Sequence, residues 1–192
     1  HCLNDILYRV RNNSLNLNIK AIVSNHKIAE EIANFSKIPF YYFSVDKSNK
    51  EKQELKIKNL IIKNDVEMIV LARYMQVLSE EFTNEFEGKI INIHHSFLPS
   101  FKGAKPYHQA FERGVKVIGA TAHYVTSDLD EGPIIEQDTQ VVDHEMMPNN
   151  LVSMGRDIES RVLYRALKAH SERRVFLNGN RTVVFKGHRI LG

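Results

Sequence analysis

Short apolar segments alternate with amphipathic ones from residue 15 to residue 94, and few folds accommodate that order. Strand patterns occupy residues 15–24, 40–45, 66–72 and 89–94. Helical patterns fill the intervals, most clearly at residues 50–63, where apolar positions recur among lysines. Repeated strand–helix–strand order builds a parallel sheet with helices on both faces. We therefore predict an α/β, doubly wound, mostly parallel sheet.

The pattern changes after residue 106. A helix is predicted to about residue 113, followed by two successive strands at 115–125 and 133–137. A long helix follows at 149–171, and a small hairpin turns around Asn178, Gly179 and Asn180. The 192 residues suffice for one such domain with a C-terminal long helix and hairpin.

The composition excludes several classes of protein. No apolar stretch approaches the roughly 18 residues of a membrane span, so we expect a soluble cytoplasmic protein with no membrane partner. A net charge of +3 gives no reason to expect nucleic acid, and the single Cys2 excludes an internal disulfide framework. Glycine-rich nucleotide motifs and the His-Glu-x-x-His zinc motif are missing. If His94 and His95 both lie in a strand, they point to opposite faces, and no metal site is expected.

The strand pattern at 89–94 ends in polar residues. Asn92 and His94 are predicted to share one face, with Ile91 and Ile93 on the other. A covered central strand is usually apolar on both faces, and α/β sheets bind ligands beyond the carboxyl ends of their strands. An Asn amide can stabilise an oxyanion, and a His can move protons near neutral pH. The ordinary alternatives are a strand-end amide that caps a loop and a satisfied buried histidine.

An acidic turn follows the next strand pattern and contains Asp128, Asp130 and Glu131. Asp130 near His94 would orient the imidazole, stabilise its protonated form or hold an attacking water, and the sequence leaves that choice open. The alternative is a turn carboxylate, because Asp and Gly favour turns. Asp128 and Glu131 are expected to be solvated or capping residues.

These residues resemble the folate-dependent formyltransferase family, whose catalytic Asn, His and Asp match Asn92, His94 and Asp130. Transferases of the family have a proline where this chain has His95. The segments 93–99, 103–110 and 119–125 resemble the family's hydrolytic branch. The resemblance implies that 10-formyltetrahydrofolate and water give formate, for purine synthesis, and tetrahydrofolate. The alternatives are formyl transfer to an amine such as glycinamide ribonucleotide, and a non-catalytic folate-binding module.

The resemblance also implies a folate site with no permanently bound cofactor. Its expected residues follow the third strand and the fifth: Met75, Gln76, Val77, Leu78, Val125, Thr126, Ser127 and Asp128. The apolar members would otherwise be read as core. His95, His123 and Gly103 are expected beside the catalytic trio, and Lys102 and Lys105 near the folate glutamate tail.

The resemblance extends over residues 1–192. It implies that they form one formyltransferase-like catalytic domain. Members of the hydrolytic branch carry an N-terminal ACT-type regulatory domain and a first catalytic-domain strand, and we expect both upstream of a helix predicted at residues 2–10. A homo-oligomer is the expected assembly.

Overall fold

The computed structural model describes residues 1–46, 49–98 and 106–187. Six α-helices lie in these ranges: α1 (Cys2–Arg11), α2 (Glu30–Phe35), α3 (Lys50–Lys63), α4 (Glu80–Glu85), α5 (Pro106–Glu112) and α6 (Pro148–Ser171). A short 3-10 helix, Lys27–Ala29, precedes α2.

Eight strands are described: β1 (Ile22–Ser24), β2 (Phe40–Tyr42), β3 (Ile69–Leu71), β4 (Ile90–His94), β5 (Val117–Tyr124), β6 (Ile134–Val141), β7 (Val175–Asn178) and β8 (Arg181–Val184). β1 and β2 form a parallel pair, and a second sheet has the order β3-β4-β5-β6. In that sheet β3 runs parallel to β4, whereas β4/β5 and β5/β6 are antiparallel. β7 and β8 form the predicted hairpin.

The faces of the larger sheet are covered by different helices. Ile91 and Ile93 belong to the main apolar cluster, together with residues of α1 and α6. Ile90 belongs to a second cluster with Phe82 and Phe86 near α4. The alternation follows directly from the two-residue period of a strand. It confirms the predicted α/β fold with helices on both faces.

Helix α6 supplies much of the main cluster. Its fully buried side chains recur at helical spacing: Leu151, Ile158, Val162, Leu163, Ala166 and Leu167. Burying a Leu or Ile of this kind stabilises a fold by roughly 1.5–3 kcal/mol. The long helix therefore fixes the back of β4, β5 and β6, which it contacts.

β1 and β3 border an open groove. In the described part of the chain, β1 has one partner strand, β2, and β3 has one partner strand, β4. The other edge of each strand faces the groove. The groove has a volume of about 1890 Å³ and is lined by both strands, including Ile22, Val23, Ile69 and Val70. The strand predicted over residues 15–24 is limited to Ile22–Ser24, and its partner among the described residues is β2.

None of the helices in the described ranges is long and apolar enough to cross a membrane.

Candidate active site

The three residues expected to act together meet at the carboxyl end of β4. His94 is buried, with 6% of its surface exposed, and Asn92 lies two residues earlier on the same face. Asp130 reaches them from the loop between β5 and β6: its Oδ1 lies 3.2 Å from Nδ1 of His94. The structure therefore brings Asn92, His94 and Asp130 together.

Asp130 has an uncommon backbone conformation. Its φ of 59° lies in the left-handed region, which Asp tolerates better than most residues with side chains. The nearby Gly132 packs so closely on β5 that a Cβ there would lie 1.8 Å from the carbonyl oxygen of Tyr124. The loop is thus pressed onto β5, which directs the Asp130 carboxylate towards His94.

The polar face of β4 continues on β5. In the antiparallel register, His123 lies opposite Asn92 and Thr121 lies opposite His94. Side chains directly opposite each other in such a pair are neighbours on one face. His123, expected beside the trio, lies there, and Thr121 is a further neighbour that sequence reasoning missed.

His123 determines which way the Asn92 amide points. Its Nδ1 lies 2.8 Å from the Tyr124 carbonyl oxygen, so this nitrogen carries the hydrogen and donates. The neutral ring then accepts at Nε2, which lies 3.3 Å from Nδ2 of Asn92. Burial lowers the pKa of His123 from its usual 6.5, which favours this neutral form. Asn92 therefore donates one N–H to His123 and turns its NH₂ group, with a second N–H, towards the site.

Thr121 secures the segment that follows His94. Its hydroxyl donates to the Ser96 carbonyl oxygen at 2.9 Å and accepts from the Leu98 N–H at 3.1 Å. Gln137 of β6 donates to the Thr121 hydroxyl oxygen at 2.9 Å and to the Leu98 carbonyl oxygen at 3.2 Å. One donor and two acceptor positions are all that a hydroxyl offers, so Thr121 is fully satisfied. The turn after the catalytic strand is consequently fixed to β5 and β6.

His95 lies one residue beyond the end of β4. Its ring stacks on that of His94, with 4.9 Å between centroids and 18° between planes. The prediction that the two side chains point to opposite faces was conditional on both residues being in the strand, and His95 lies outside it. The strand ends at His94, so the two-residue period no longer applies. His95 thus borders the trio as expected.

The two segments expected to bind folate lie near each other. Tyr74, Leu78 and Val125 pack in the same apolar cluster, which joins the segment after β3 to the segment after β5. Met75 and Val77 are 66% and 53% exposed, and Gln76 is also exposed. Leu78 is buried and belongs to the core.

The remainder of the expected folate loop lies between Val125 and the acidic turn. Thr126 is half-buried, Ser127 and Asp128 are exposed, and Thr126 Oγ1 donates to the Asp128 carbonyl oxygen at 3.2 Å. Gly103, Lys102 and Lys105 lie outside the described residues.

A buried carboxylate forms another cluster that sequence reasoning missed. Glu159 of α6 accepts from the Tyr107 hydroxyl and from Nε2 of His1, each at 2.7 Å. Burial alone would raise the pKa of Glu159, but these hydrogen bonds outweigh burial and lower it. A hydrogen bond with Cys2, followed by the one with Glu159, raises the pKa of His1 to about 9.

His1, Cys2 and Glu159 are also of metal-ligand type, with donor atoms within 4.8 Å of one another. Both Glu159 oxygens, however, already accept hydrogen bonds from His1 and Tyr107. The contacts present in the cluster are those of a hydrogen-bonded network. No signal in the sequence connects Tyr107 with Glu159, because the two residues are 52 positions apart and are brought together only by packing of α5 on α6.

The trio provides the groups needed for acyl chemistry. A neutral N–H donor, an imidazole and a carboxylate converge at a strand end. The site is partly shielded from water, and electrostatic interactions are stronger there than in water. The exposed apolar residues of the 74–78 segment border the same end of the sheet. This arrangement suits a ligand whose carbonyl carbon lies at the trio while another part of it contacts these apolar side chains.

Comparison with known proteins agrees with the fold. Residues 1–167 match the family described as formyl transferase. The chain belongs to the formyl transferase family.

Two members of the family are similar to the chain over almost all of its length. The chain is 52% identical to the formyltetrahydrofolate deformylase of Corynebacterium sp. (strain P-1) over 97% of its length, which is 65% of that relative. It is 49% identical to the deformylase of Bacillus subtilis (strain 168) over 96% of its length and 62% of that relative. The chain thus spans less than two thirds of the length of these relatives.

Among the solved structures compared, a deformylase is more similar to the chain than a transformylase is. The formyltetrahydrofolate deformylase of Burkholderia mallei superposes with a TM-score of 0.93 at 53% identity, covering 97% of this chain and 66% of that one. Glycinamide ribonucleotide transformylase 1 of Symbiobacterium toebii superposes with a TM-score of 0.88 at 26% identity, covering 96% and 88%.

Proposed function

We propose that this chain is the catalytic part of a formyltetrahydrofolate deformylase, which hydrolyses 10-formyltetrahydrofolate to formate and tetrahydrofolate. The observation that carries the proposal is the convergence of Asn92, His94 and Asp130 at the end of β4, with 3.2 Å between His94 Nδ1 and Asp130 Oδ1. Deformylases about half identical over almost the entire chain support hydrolysis as the reaction.

The proposed reaction begins with the formyl oxygen held by the free N–H of Asn92. Water attacks the formyl carbon, a C–O bond forms, and Asn92 stabilises the resulting oxyanion. The C–N10 bond then breaks, and a proton originally from water passes through His94 to N10. The Asp130 carboxylate, with Oδ1 3.2 Å from Nδ1 of His94, favours the imidazolium and leaves Nε2 as the nitrogen that exchanges the proton. Alternatively, Asp130 holds the attacking water rather than assisting His94.

The pterin ring is proposed to lie against Met75, Gln76 and Val77. Their exposure next to two anchored neighbours, Tyr74 and Leu78, supports a ligand-binding surface rather than core. The loop that carries Val125, Thr126, Ser127 and Asp128 would close the other side. No permanently bound cofactor is predicted, because the folate enters as substrate and leaves as product.

Formyl transfer to an amine is the second candidate function. The structural similarity to glycinamide ribonucleotide transformylase 1 favours considering it, since the same fold serves a transferase. The two reactions differ in the acceptor: a deformylase releases formate without any amine, whereas a transferase depends on one.

The deciding experiment measures formate release from 10-formyltetrahydrofolate with no amine present. We expect steady release that falls a hundredfold or more, on the order typical of acid–base groups, in Asp130→Asn and His94→Gln. Asp143→Asn, an exposed carboxylate outside the site, is the matched control. Release that appears only on addition of an amine would favour the transferase. Tetrahydrofolate binding without either reaction would favour a folate-binding module.

We also propose that an upstream β-strand, in a longer protein, fills the groove between β1 and β3. Ile22 and Ile69 donate their N–H groups to the neighbouring segments on the outer sides, Pro39 and Lys89. Alternate N–H groups of a strand point to opposite sides, so Val23 and Val70 present theirs to the groove. A parallel strand would satisfy both edges. Extending the chain upstream should slow hydrogen exchange at Val70, and unchanged exchange would refute this strand.

An ACT-type regulatory domain further upstream, a homo-oligomeric assembly and a cytoplasmic location remain predictions from the family resemblance.

A further inference from the structure

Glu54 is a buried carboxylate that the proposed reaction does not use. It lies on α3 with 7% of its surface exposed. One of its oxygens accepts the Ser79 N–H at 3.0 Å, and the Ser79 hydroxyl donates to the other oxygen. The ammonium of Lys50 is 4.0 Å from one of these oxygens. Both oxygens of the carboxylate are therefore directed at one residue of another element.

Ser79 joins the proposed folate segment to helix α4. Its hydroxyl oxygen accepts the Phe82 N–H at 3.2 Å, as an N-cap does, while its hydrogen points to Glu54. Thr83 also donates its hydroxyl to the Ser79 carbonyl oxygen at 3.2 Å. Ser79 is thus held by Glu54 on one side and by the first turn of α4 on the other.

The segment between β3 and Ser79 is anchored at its ends and exposed in its middle. Arg73 has a φ of 53°, which turns the chain sharply as it leaves β3. Tyr74 and Leu78 pack in the second apolar cluster, whereas Met75, Gln76 and Val77 face outwards. Exposed apolar side chains on an anchored backbone are typical of a preorganised binding surface.

Glu54 also lies near the other end of this segment. Burial, followed by the negative charge of Glu54, raises the pKa of Tyr74 to about 12. The Tyr74 phenol therefore stays neutral and packed. The Glu54 carboxylate thus interacts with residues at both ends of the segment, Tyr74 and Ser79.

We propose that Glu54 is a positioning residue for folate: through Ser79 it holds residues 74–78 in the conformation that binds the pterin ring. This inference rests on the proposed folate site. Burying a carboxylate is costly, and an apolar residue would pack on α3 with less desolvation. Hydrogen bonds to a charged acceptor are stronger than neutral ones, and two of them to one residue fix both its position and its orientation.

The test is tetrahydrofolate binding to the chain, measured by calorimetry under anaerobic conditions well below the melting temperature. Glu54→Gln removes the charge and presents an NH₂ group to the Ser79 hydroxyl, so the dissociation constant should rise about tenfold. Glu51→Gln is the matched control, because Glu51 is exposed on the same helix. It should bind as the parent does.

Variants at Ser79 separate positioning from simple stabilisation. Ser79→Ala should weaken binding about as much as Glu54→Gln, and the double variant should show little further loss, because both changes break the same contact. Ser79→Thr keeps the hydroxyl and should restore binding. In formate release, Glu54→Gln should raise KM about tenfold and change kcat less than twofold. A purely structural role would lower Tm and leave the dissociation constant and KM unchanged.

Two results overturn the inference in distinguishable ways. If Met75→Ala and Val77→Ala weaken tetrahydrofolate binding but Glu54→Gln does not, the folate segment stands and the role of Glu54 is refuted. If Met75→Ala and Val77→Ala also bind normally, the proposed position of the pterin ring is refuted, together with the role of Glu54.

Discussion

Nδ2 of Asn92 lies 3.3 Å from Nε2 of His123, directly across the β4/β5 pair. The hydrogen bond from His123 Nδ1 to the Tyr124 carbonyl oxygen makes Nε2 an acceptor, so the Asn92 amide has one orientation. A fixed amide pays no reorganisation cost when charge develops on the formyl oxygen. In the proposed reaction, His123 would therefore act through Asn92.

Replacing His123 with Phe keeps a ring of similar size but removes the acceptor. The Asn92 amide is then free to rotate, and we expect kcat for formate release to fall about 10- to 100-fold, the scale of a misplaced oxyanion donor. Tetrahydrofolate binding should change less than about twofold. His170→Phe, which removes a partly buried imidazole outside the trio, should retain kcat. Equal kcat in both variants would exclude the positioning role.

The pairing of β4 with β5 explains what could be read from the sequence and what could not. The two-residue period of a strand correctly predicted that Asn92 and His94 share a face, because that relationship is local. The contacts of Asn92 with His123 and of Thr121 with Ser96 depend on the register between two strands. The pairing of β5 with β6 shifts at Ala122/His123, and no local pattern reveals such an irregularity.

The clusters on the helices were missed for a related reason. Glu54 and Glu159 lie on helices that the sequence predicts, and charged residues on helices are usually exposed. Each is buried because a hydroxyl from a distant segment meets it, Ser79 for Glu54 and Tyr107 for Glu159. Sequence spacing gives the helix and its periodicity, but it does not identify the partner that makes a buried carboxylate tolerable.

Thr121→Val should damage both the fold and the reaction. Valine has nearly the same shape but leaves the Ser96 carbonyl oxygen and the Leu98 N–H without their hydroxyl partner, which should lower the free energy of unfolding by about 2–3 kcal/mol. The turn after His94 would also shift, so kcat should fall by about tenfold or more. Urea unfolding and formate release measure the two effects.

Thr139→Val is the control for that change, because Thr139 is exposed on β6. It should alter the free energy of unfolding by less than about 0.5 kcal/mol. A comparable loss in both variants would show that the Thr121 hydroxyl has no special role.

The stability of the fold should depend on pH through His1. Its folded pKa of about 9 lies above its usual 6.5, so the folded state binds the proton more tightly than the unfolded state. The resulting stabilisation is fully present below about pH 6.5 and disappears as the pH rises through about 9. We expect the free energy of unfolding to fall by about 1–3 kcal/mol across this window.

Glu159→Gln isolates this effect from other titrations. The variant removes the negative partner of His1, so the decline between about pH 6.5 and pH 9 should become shallower. Urea unfolding of the parent and the variant across that window gives the difference directly. Parallel pH profiles would contradict a contribution from the His1–Glu159 pair.

Gly132→Ala should abolish most of the activity, although it adds only a methyl group. The new Cβ would lie 1.8 Å from the carbonyl oxygen of Tyr124, a backbone atom that cannot move without disturbing β5. The 125–132 loop must therefore lift away, which carries the Asp130 carboxylate out of reach of His94. We expect kcat to fall about a hundredfold, as for loss of Asp130 itself.

Gly114→Ala distinguishes this displacement from ordinary glycine strain. Gly114 has a φ of 60° but nothing within 4 Å of an added Cβ. The substitution should cost about 1–2 kcal/mol of stability and leave kcat unchanged. If Gly132→Ala released formate at the parental rate, the loop could not be what holds Asp130 against His94.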